Sequence, residues 1–122
     1  MNSRAKGKRG ELEARNAVRE HWFASGCIRS AQAGGAYAAD LLNAGDGLHV
    51  EVKRRQKIAA THFMKQAERD CGVDEVPVVV MREDGYPSWL VVVRIEDTER
   101  FLNIIGHNKE TQDDQPNQAG AG

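Results

Sequence analysis

Residues 76–82, VPVVVMR, are a nearly continuous β-branched run, and such a run reads as a strand buried on both faces. A strand of that kind needs cover above and below, so the expectation is an α/β domain with a central mixed sheet flanked by helices. Residues 48–55, LHVEVKRR, behave differently: Leu48, Val50 and Val52 alternate with His49, Glu51 and Lys53. A strand here turns its aliphatic side chains to one face and an acid and a lysine to the other. Taken alone, that pattern describes an amphipathic strand with a surface salt bridge.

The rest of the chain supplies the flanking elements. From about Lys8 to Ala24 the spacing is helical, with Glu11, Ala14, Ala17, Val18, His21 and Trp22 on one side and Glu13 nearly opposite. Ser25 and Gly26 are expected to end that helix. CIRSA (27–31) and AADLLN (38–43) read as short strands separated by the loop QAGGAY, and AGDG (44–47) reads as a tight turn into the third strand. The second and third strands are therefore antiparallel neighbours, with Asp40 in reach of Glu51. ATHFMKQAERDCG (60–72) reads as a helix with Thr61 as N-cap and Gly72 as its stop. After VPVVVMR, the turn DGYP leads to the strand SWLVVVRI, and Asp97 is placed to cap a last helix, TERFLNIIG, ending at Gly106. The expected order is helix, three strands, helix, two strands, helix, as a single domain over 1–106. Residues 107–122 are polar and are expected to form a disordered tail.

With 122 residues and 40% hydrophobic content the chain can bury one core. It contains no apolar run of membrane-spanning length, and its opening, MNSRAKGKRGEL, lacks the apolar segment of a signal peptide. A soluble, cytoplasmic protein is the expectation. Cys27 and Cys71 have no ligand or disulfide spacing and read as small core residues. A net charge of −1 conceals an uneven distribution: residues 1–19 hold six basic and two acidic side chains, and Lys53, Arg54, Arg55 and Lys57 form a second basic cluster. Two basic patches on a nearly neutral chain suit a polyanion, though two solvated faces account for them almost as well.

The chemistry gathers in four residues: Glu11 facing the core on the first helix, Asp40 on a strand, and Glu51 and Lys53 two apart on the paired strand. Buried acids are costly without a counter-charge, and a divalent cation is the simplest partner for converging carboxylates. Asp40 and Glu51, with the main-chain carbonyl of Val52 and waters, suit an octahedral magnesium ion, or manganese in its place. Lys53 beside them is positioned to orient a water. This is equipment for metal-assisted hydrolysis of a phosphodiester.

At these residues the chain resembles the PD-(D/E)XK nuclease superfamily, most closely the archaeal-type Holliday junction resolvases and their viral relatives. The family pattern of Glu on a helix, then Asp, then Glu-x-Lys in a hairpin appears here as Glu11, Asp40 and EVK at 51–53. KGKRGELEAR places Glu11 four residues after Gly7, as those resolvases do, and CIRSAQAGG supplies their Arg-Ser pair as Arg29 and Ser30. Ala39 stands where the superfamily often has proline, a residue that shapes the turn and ligates nothing. The resemblance covers roughly residues 6 to 95.

The resemblance implies a restriction-endonuclease-like core, α-β-β-β-α-β-β, and a structure-specific DNA endonuclease. Asp40 and Glu51 would be metal ligands with the Val52 carbonyl, Lys53 the water-orienting base or phosphate contact, and Glu11 an auxiliary acid acting through water or a second cation. The plainer reading of Glu11 is a helix N-terminal acid favoured by the dipole. Arg29 and Ser30 would face the phosphate backbone, unless Arg29 closes a structural salt bridge. Lys6, Lys8, Arg9, Arg54, Arg55 and Lys57 would supply the electrostatic footprint. Gln66, on the helix after Lys53, stands where some relatives place a glutamine near the site. His49 shares the Glu51 face but reads better as a partnered or solvent-facing histidine than as a ligand. Tyr37 is the aromatic considered for contact with bases.

The implied substrate is branched DNA, a four-way junction above all, cut by a homodimer with two active sites. The VPVVVM and WLVVV strands, or the last helix through Phe101, Leu102, Ile104 and Ile105, are the candidate interfaces. The alternatives are a nuclease of the same fold acting on flaps, nicks or plain duplex, a non-catalytic nucleic-acid-binding module, or a structural protein with surface salt bridges.

Overall fold

The computed structural model describes residues 3–30 and 38–114. Helix α1 (Ser3–His21) leads through strands β1 (Ile28–Arg29), β2 (Leu41–Leu42) and β3 (Leu48–Arg55) to helix α2 (Ala60–Asp70). Strands β4 (Val76–Glu83) and β5 (Leu90–Val93), a 3-10 turn at Ile95–Asp97 and helix α3 (Thr98–Asp114) complete the chain. The strands form one five-stranded sheet in the order β1-β2-β3-β4-β5. Every pairing is antiparallel except β3 with β4, which run parallel with Val50 opposite Val78 and Val52 opposite Val80. Parallel neighbours need a crossover, and α2 is that crossover. The architecture is therefore α/β, a mixed sheet flanked by helices, and no helix among the described residues is long and apolar enough to cross a membrane.

The alternation of β3 builds two different layers. Leu48, Val50 and Val52 join Val76, Val78 and Val80 beneath α1 and α3, packing against Ala14, Val18, Trp22 and Phe101. Trp22 meets Phe101 edge-to-face with ring centroids 5.2 Å apart. On the opposite face Val79 and Met81 of β4 pack under Phe63, Met64 and Ala67 of α2. Close approach of α1 to the sheet depends on Gly10, where an added Cβ would lie 3.1 Å from Arg54 Cβ.

Four expectations about this layout are corrected. Helix α1 starts at Ser3 and stops at His21, and Phe23, in the left-handed region at φ 58°, turns the chain before Ser25 is reached. Helix α2 is preceded by Ala59 and makes no side-chain cap, so Thr61 lies inside it. Asp97 does not cap α3, because Arg94 Nε donates to its carboxylate at 2.7 Å. Most consequentially, α3 runs on through Gly106 and reaches Asp114 instead of giving way to a tail at His107. Glycine costs a helix about 1 kcal/mol, and what lies beyond it offsets that: Asn108 Nδ2 donates to the carbonyls of Ala44 (2.7 Å) and Trp22 (3.2 Å). Lys109 Nζ also sits 5.5 Å from the ring centroid of Phe23.

Two smaller expectations also shift. Cys27 is in the core as expected, while Cys71 is half-buried with its sulfur 3.2 Å from the Glu75 carbonyl. Val76 to Met81 of β4 are consumed by the interior, so that strand is not available as a dimer interface, whereas Leu90 and Val91 of the edge strand β5 and Leu102 of α3 are exposed.

Candidate active site

Asp40 stands where β2 begins to pair with β3. Its backbone N–H donates to the Val50 carbonyl at 2.9 Å, and its carbonyl accepts from Ser30 N–H at 3.0 Å. Its side chain then reaches one step further along β3, where Oδ2 accepts the Val52 N–H at 2.8 Å. Backbone groups of alternate strand residues point to opposite edges, so Val50 and Val52 both direct their N–H and C=O toward β2. Among the described residues no strand pairs with β3 beyond Val50 on that edge, and the Val52 carbonyl lies on the same edge as the N–H that Asp40 holds.

Glu51 and Lys53 do not form a surface ion pair: they are 3% and 8% exposed, on the α2 face of the sheet. The Asp40 and Glu51 carboxyl groups share a hydrogen bond across the β2–β3 junction. Burial first, and the Glu51 charge second, push Asp40 up to about 7, against the pull of the Val52 N–H. Burial raises Glu51 too, but the hydrogen bonds from His49 and Asp40, together with the charges of His49 and Lys53, outweigh it and hold Glu51 below its usual value. The pair thus shares a proton where two anions would be costly. Lys53 Nζ lies 5.8 Å from the Phe63 ring centroid, its stem covered by the apolar layer of α2.

The other acid on the first helix takes a different place. Glu11 Oε1 accepts from Arg29 Nε at 2.6 Å, with both side chains about four-fifths buried. It is the ninth residue of α1, well past the first turn, so the dipole reading does not apply. Glu11 is near enough to raise Asp40, as the weakest contribution. Arg29 thus closes a salt bridge. Ser30 is buried, its hydroxyl donating to the Ala39 carbonyl, which ties the two ends of the 30–39 loop together and leaves no free hydroxyl for a phosphate. Tyr37 and the glycines of that loop lie outside the described residues.

The basic residues divide. Lys8, Arg9, Arg55 and Lys57 are exposed. Arg54 is half-buried, its Nη1 donating to Glu13 at 2.9 Å, and Arg82 binds the other Glu13 oxygen at 2.9 Å. Glu13 therefore faces β3 and β4 rather than solvent. The Lys6 side chain lies outside what the structure describes, and Gln66 is half-buried in α2.

Two participants, Glu75 and Arg82, had no voice in the sequence, and His49, which read as a partnered or solvent-facing histidine, is the partnered kind. His49 is 3% exposed, and its Nε2 lies 2.8 Å from Glu51 Oε1. Its Nδ1 is 3.8 Å from Glu75 Oε1. The i, i+2 spacing put His49 on the face of Glu51, but the partner on its far side, Glu75, comes from the segment before β4. Arg82, which shares Glu13 with Arg54, was equally unannounced.

The donor set can be tested against a divalent cation. The Asp40 and Glu51 carboxyls and the Val52 carbonyl are all oxygen donors, the kind that magnesium and manganese accept. Burial and, after it, the Glu51 charge raise Asp40, and a cation between the two would offset both. The residues fit such an ion, with water completing the shell. Glu11 does not join them directly: among the described residues no group of three or more His, Cys, Asp or Glu side chains is arranged to hold a metal. Comparison with family models, with curated proteins and with solved structures finds no match.

Proposed function

We propose that this chain is a magnesium-dependent, structure-specific DNA endonuclease with a restriction-endonuclease-like core, acting on four-way junctions. The observation that carries the reading is a juxtaposition on β3. There the carboxyl pair Asp40 and Glu51 meets at the β2–β3 junction, with Val52 N–H holding Asp40 and the buried Lys53 next on the same face as Glu51. Asp40, Glu51 and the Val52 carbonyl would hold the ion. When bound, it would supply Lewis acidity, easing deprotonation of a water and drawing charge from the scissile phosphate.

The chain's own residues do the remaining work. Val52 N–H fixes one Asp40 oxygen, so the carboxylate arrives oriented and loses little freedom on binding. Lys53, desolvated on one side by Phe63, brings a positive charge to the place where the phosphate would sit and can hold a water by hydrogen bond. Arg29, on β1, holds the Glu11 carboxylate in place by its 2.6 Å hydrogen bond. Lys8, Arg9, Arg55 and Lys57 provide exposed charge for the DNA backbone.

The test is cleavage of a labelled four-way junction by the wild type and by Glu51→Ala, with binding measured in parallel at fixed salt. Paired symmetric nicks by the wild type, and binding without cutting by the variant, are expected. Cleavage that prefers a flap or plain duplex overturns the junction substrate and leaves the nuclease. Binding with no cutting by either protein leaves a nucleic-acid-binding module.

A further inference from the structure

His49 is one of the few polar side chains in the interior, and it is placed between two carboxylates. On one side its Nε2 lies 2.8 Å from Glu51 Oε1, and on the other its Nδ1 lies 3.8 Å from Glu75 Oε1. Glu75 is itself tied down, accepting the Gly72 N–H at 2.8 Å. The chain of contacts therefore runs from the segment that leads into β4, through Glu75 and the His49 ring, to Glu51.

Geometry limits what each group can do. A carboxylate oxygen only accepts, so Nε2 must be the donor toward Glu51. The ring is buried, with Nε2 hydrogen-bonded to Glu51 and Nδ1 facing Glu75. Glu51 then has Oε1 committed to His49, and only its other oxygen is left for the Asp40 side of the site, where it would meet a cation. We propose that His49 is the positioning residue of the site, holding Glu51 as a one-oxygen ligand suited to a small octahedral cation, and that Glu75 holds His49. This inference rests on the nuclease reading of Asp40 and Glu51.

One-oxygen ligation is what magnesium and manganese tolerate at octahedral geometry, whereas calcium gains from two-oxygen carboxylates and a larger, looser shell. His49 should therefore tune which cation is preferred as well as how tightly it binds. Outer partners that orient a ligand typically contribute about 10–100-fold in metal affinity. A glutamine can reach the place of Nε2 and donate from there, while an asparagine is too short.

The experiment is direct titration of the metal-free protein with manganese, followed by electron paramagnetic resonance of the free ion, and with calcium by calorimetry. The proteins are the wild type, His49→Ala, His49→Gln, His49→Asn and Glu51→Ala, each checked for folding by circular dichroism. Manganese affinity is expected to fall about 10–100-fold in His49→Ala and to return to within a few-fold of wild type in His49→Gln. The manganese-over-calcium preference should shrink in parallel. Should the alanine variant fail to fold, the Gln and Asn variants decide, with affinity restored by the first and not by the second. A folded His49→Ala, or a His49→Asn, that binds both cations like the wild type overturns the positioning role while leaving the metal site intact. A wild type that binds manganese no better than Glu51→Ala overturns both the positioning role and the site on which it rests.

Discussion

The two faces of β3 are equally hidden and chemically opposite. Val50 and Val52 are 0% and 7% exposed, and their neighbours Glu51 and Lys53 are 3% and 8%. The valine face closes against α1 and α3, where each square ångström of apolar surface removed from water contributes about 25 cal/mol. The other face closes against α2, where the covering is just as dry but the groups beneath are a histidine, an acid and a lysine. Burial of such groups is costly unless each is partnered. Here His49, Asp40 and Lys53 partner Glu51, and the residual cost appears as the raised Asp40. Dryness by itself therefore does not distinguish core from site. What distinguishes them is whether the buried groups stabilise the fold or merely tolerate it, and only the second kind needs another reason to be there.

Substitution of adjacent residues breaks the comparison most sharply. Glu51→Ala is expected to abolish cleavage of a junction, a loss greater than the roughly 10–100-fold attached to an outer partner of a metal ligand. Its thermal midpoint should change less, because relief of the Asp40 carboxyl opposes the loss of a partner by His49 and Lys53. Val50→Ala, one residue earlier, should do the reverse. It is expected to cost about 2 kcal/mol in a urea titration while cleavage persists wherever the protein remains folded.

Titration sharpens the contrast further. The Asp40 carboxyl is pushed up by burial and by Glu51, so the stability it contributes is complete below its ordinary value near 4 and is lost as pH rises through about 7. His49 is lowered by burial but raised more by its Glu51 hydrogen bond, so its contribution is likewise lost as pH rises past its ordinary 6.5. Glu51, held low, loses its contribution only in acid, as pH falls below 4.5. In a chelator, stability should decline as pH rises from about 4.5 through 7, and magnesium should offset the decline at the upper end. Asp40→Asn should flatten the slope between 4 and 7 and remove the magnesium effect. A wild-type profile that is flat over this range with chelator present would remove the shared-proton description of the site.

The smallest net effects are at the rim. Replacing both members of the Arg29–Glu11 pair, whose side chains are only about one-fifth exposed, by apolar residues should be close to neutral for stability, whereas removing either one alone should be clearly destabilising. Lys57→Ala should lower the salt slope of DNA binding by about one counterion, uniformly across sequences.

The alternation of LHVEVKRR was legible because a period of two leaves no other way to segregate Val50 from Glu51, and the turn at 44–47 made β2 its neighbour. The valine run of β4 announced burial for the same local reason. Corrections fell where a distant residue decided the outcome. Gly106 looked like a helix stop until Asn108 met the carbonyls of Trp22 and Ala44. Glu13 looked solvent-facing until Arg54 and Arg82 met on it. Lys53 and Glu51 looked like a surface pair because spacing reports which face a side chain takes and not whether another layer covers that face.

By itself, then, the sequence determined the order of the elements, the two-sided character of β3 and the placing of Asp40 beside Glu51, since all of these follow from short-range periodicity and a tight turn. The tertiary structure alone decided that the polar face is buried, that Glu11 belongs to Arg29, that His49 and Glu75 stand behind Glu51, and that α3 continues to Asp114. Those outcomes depend on groups far apart in the chain meeting where water has been excluded, and no local pattern records where that happens.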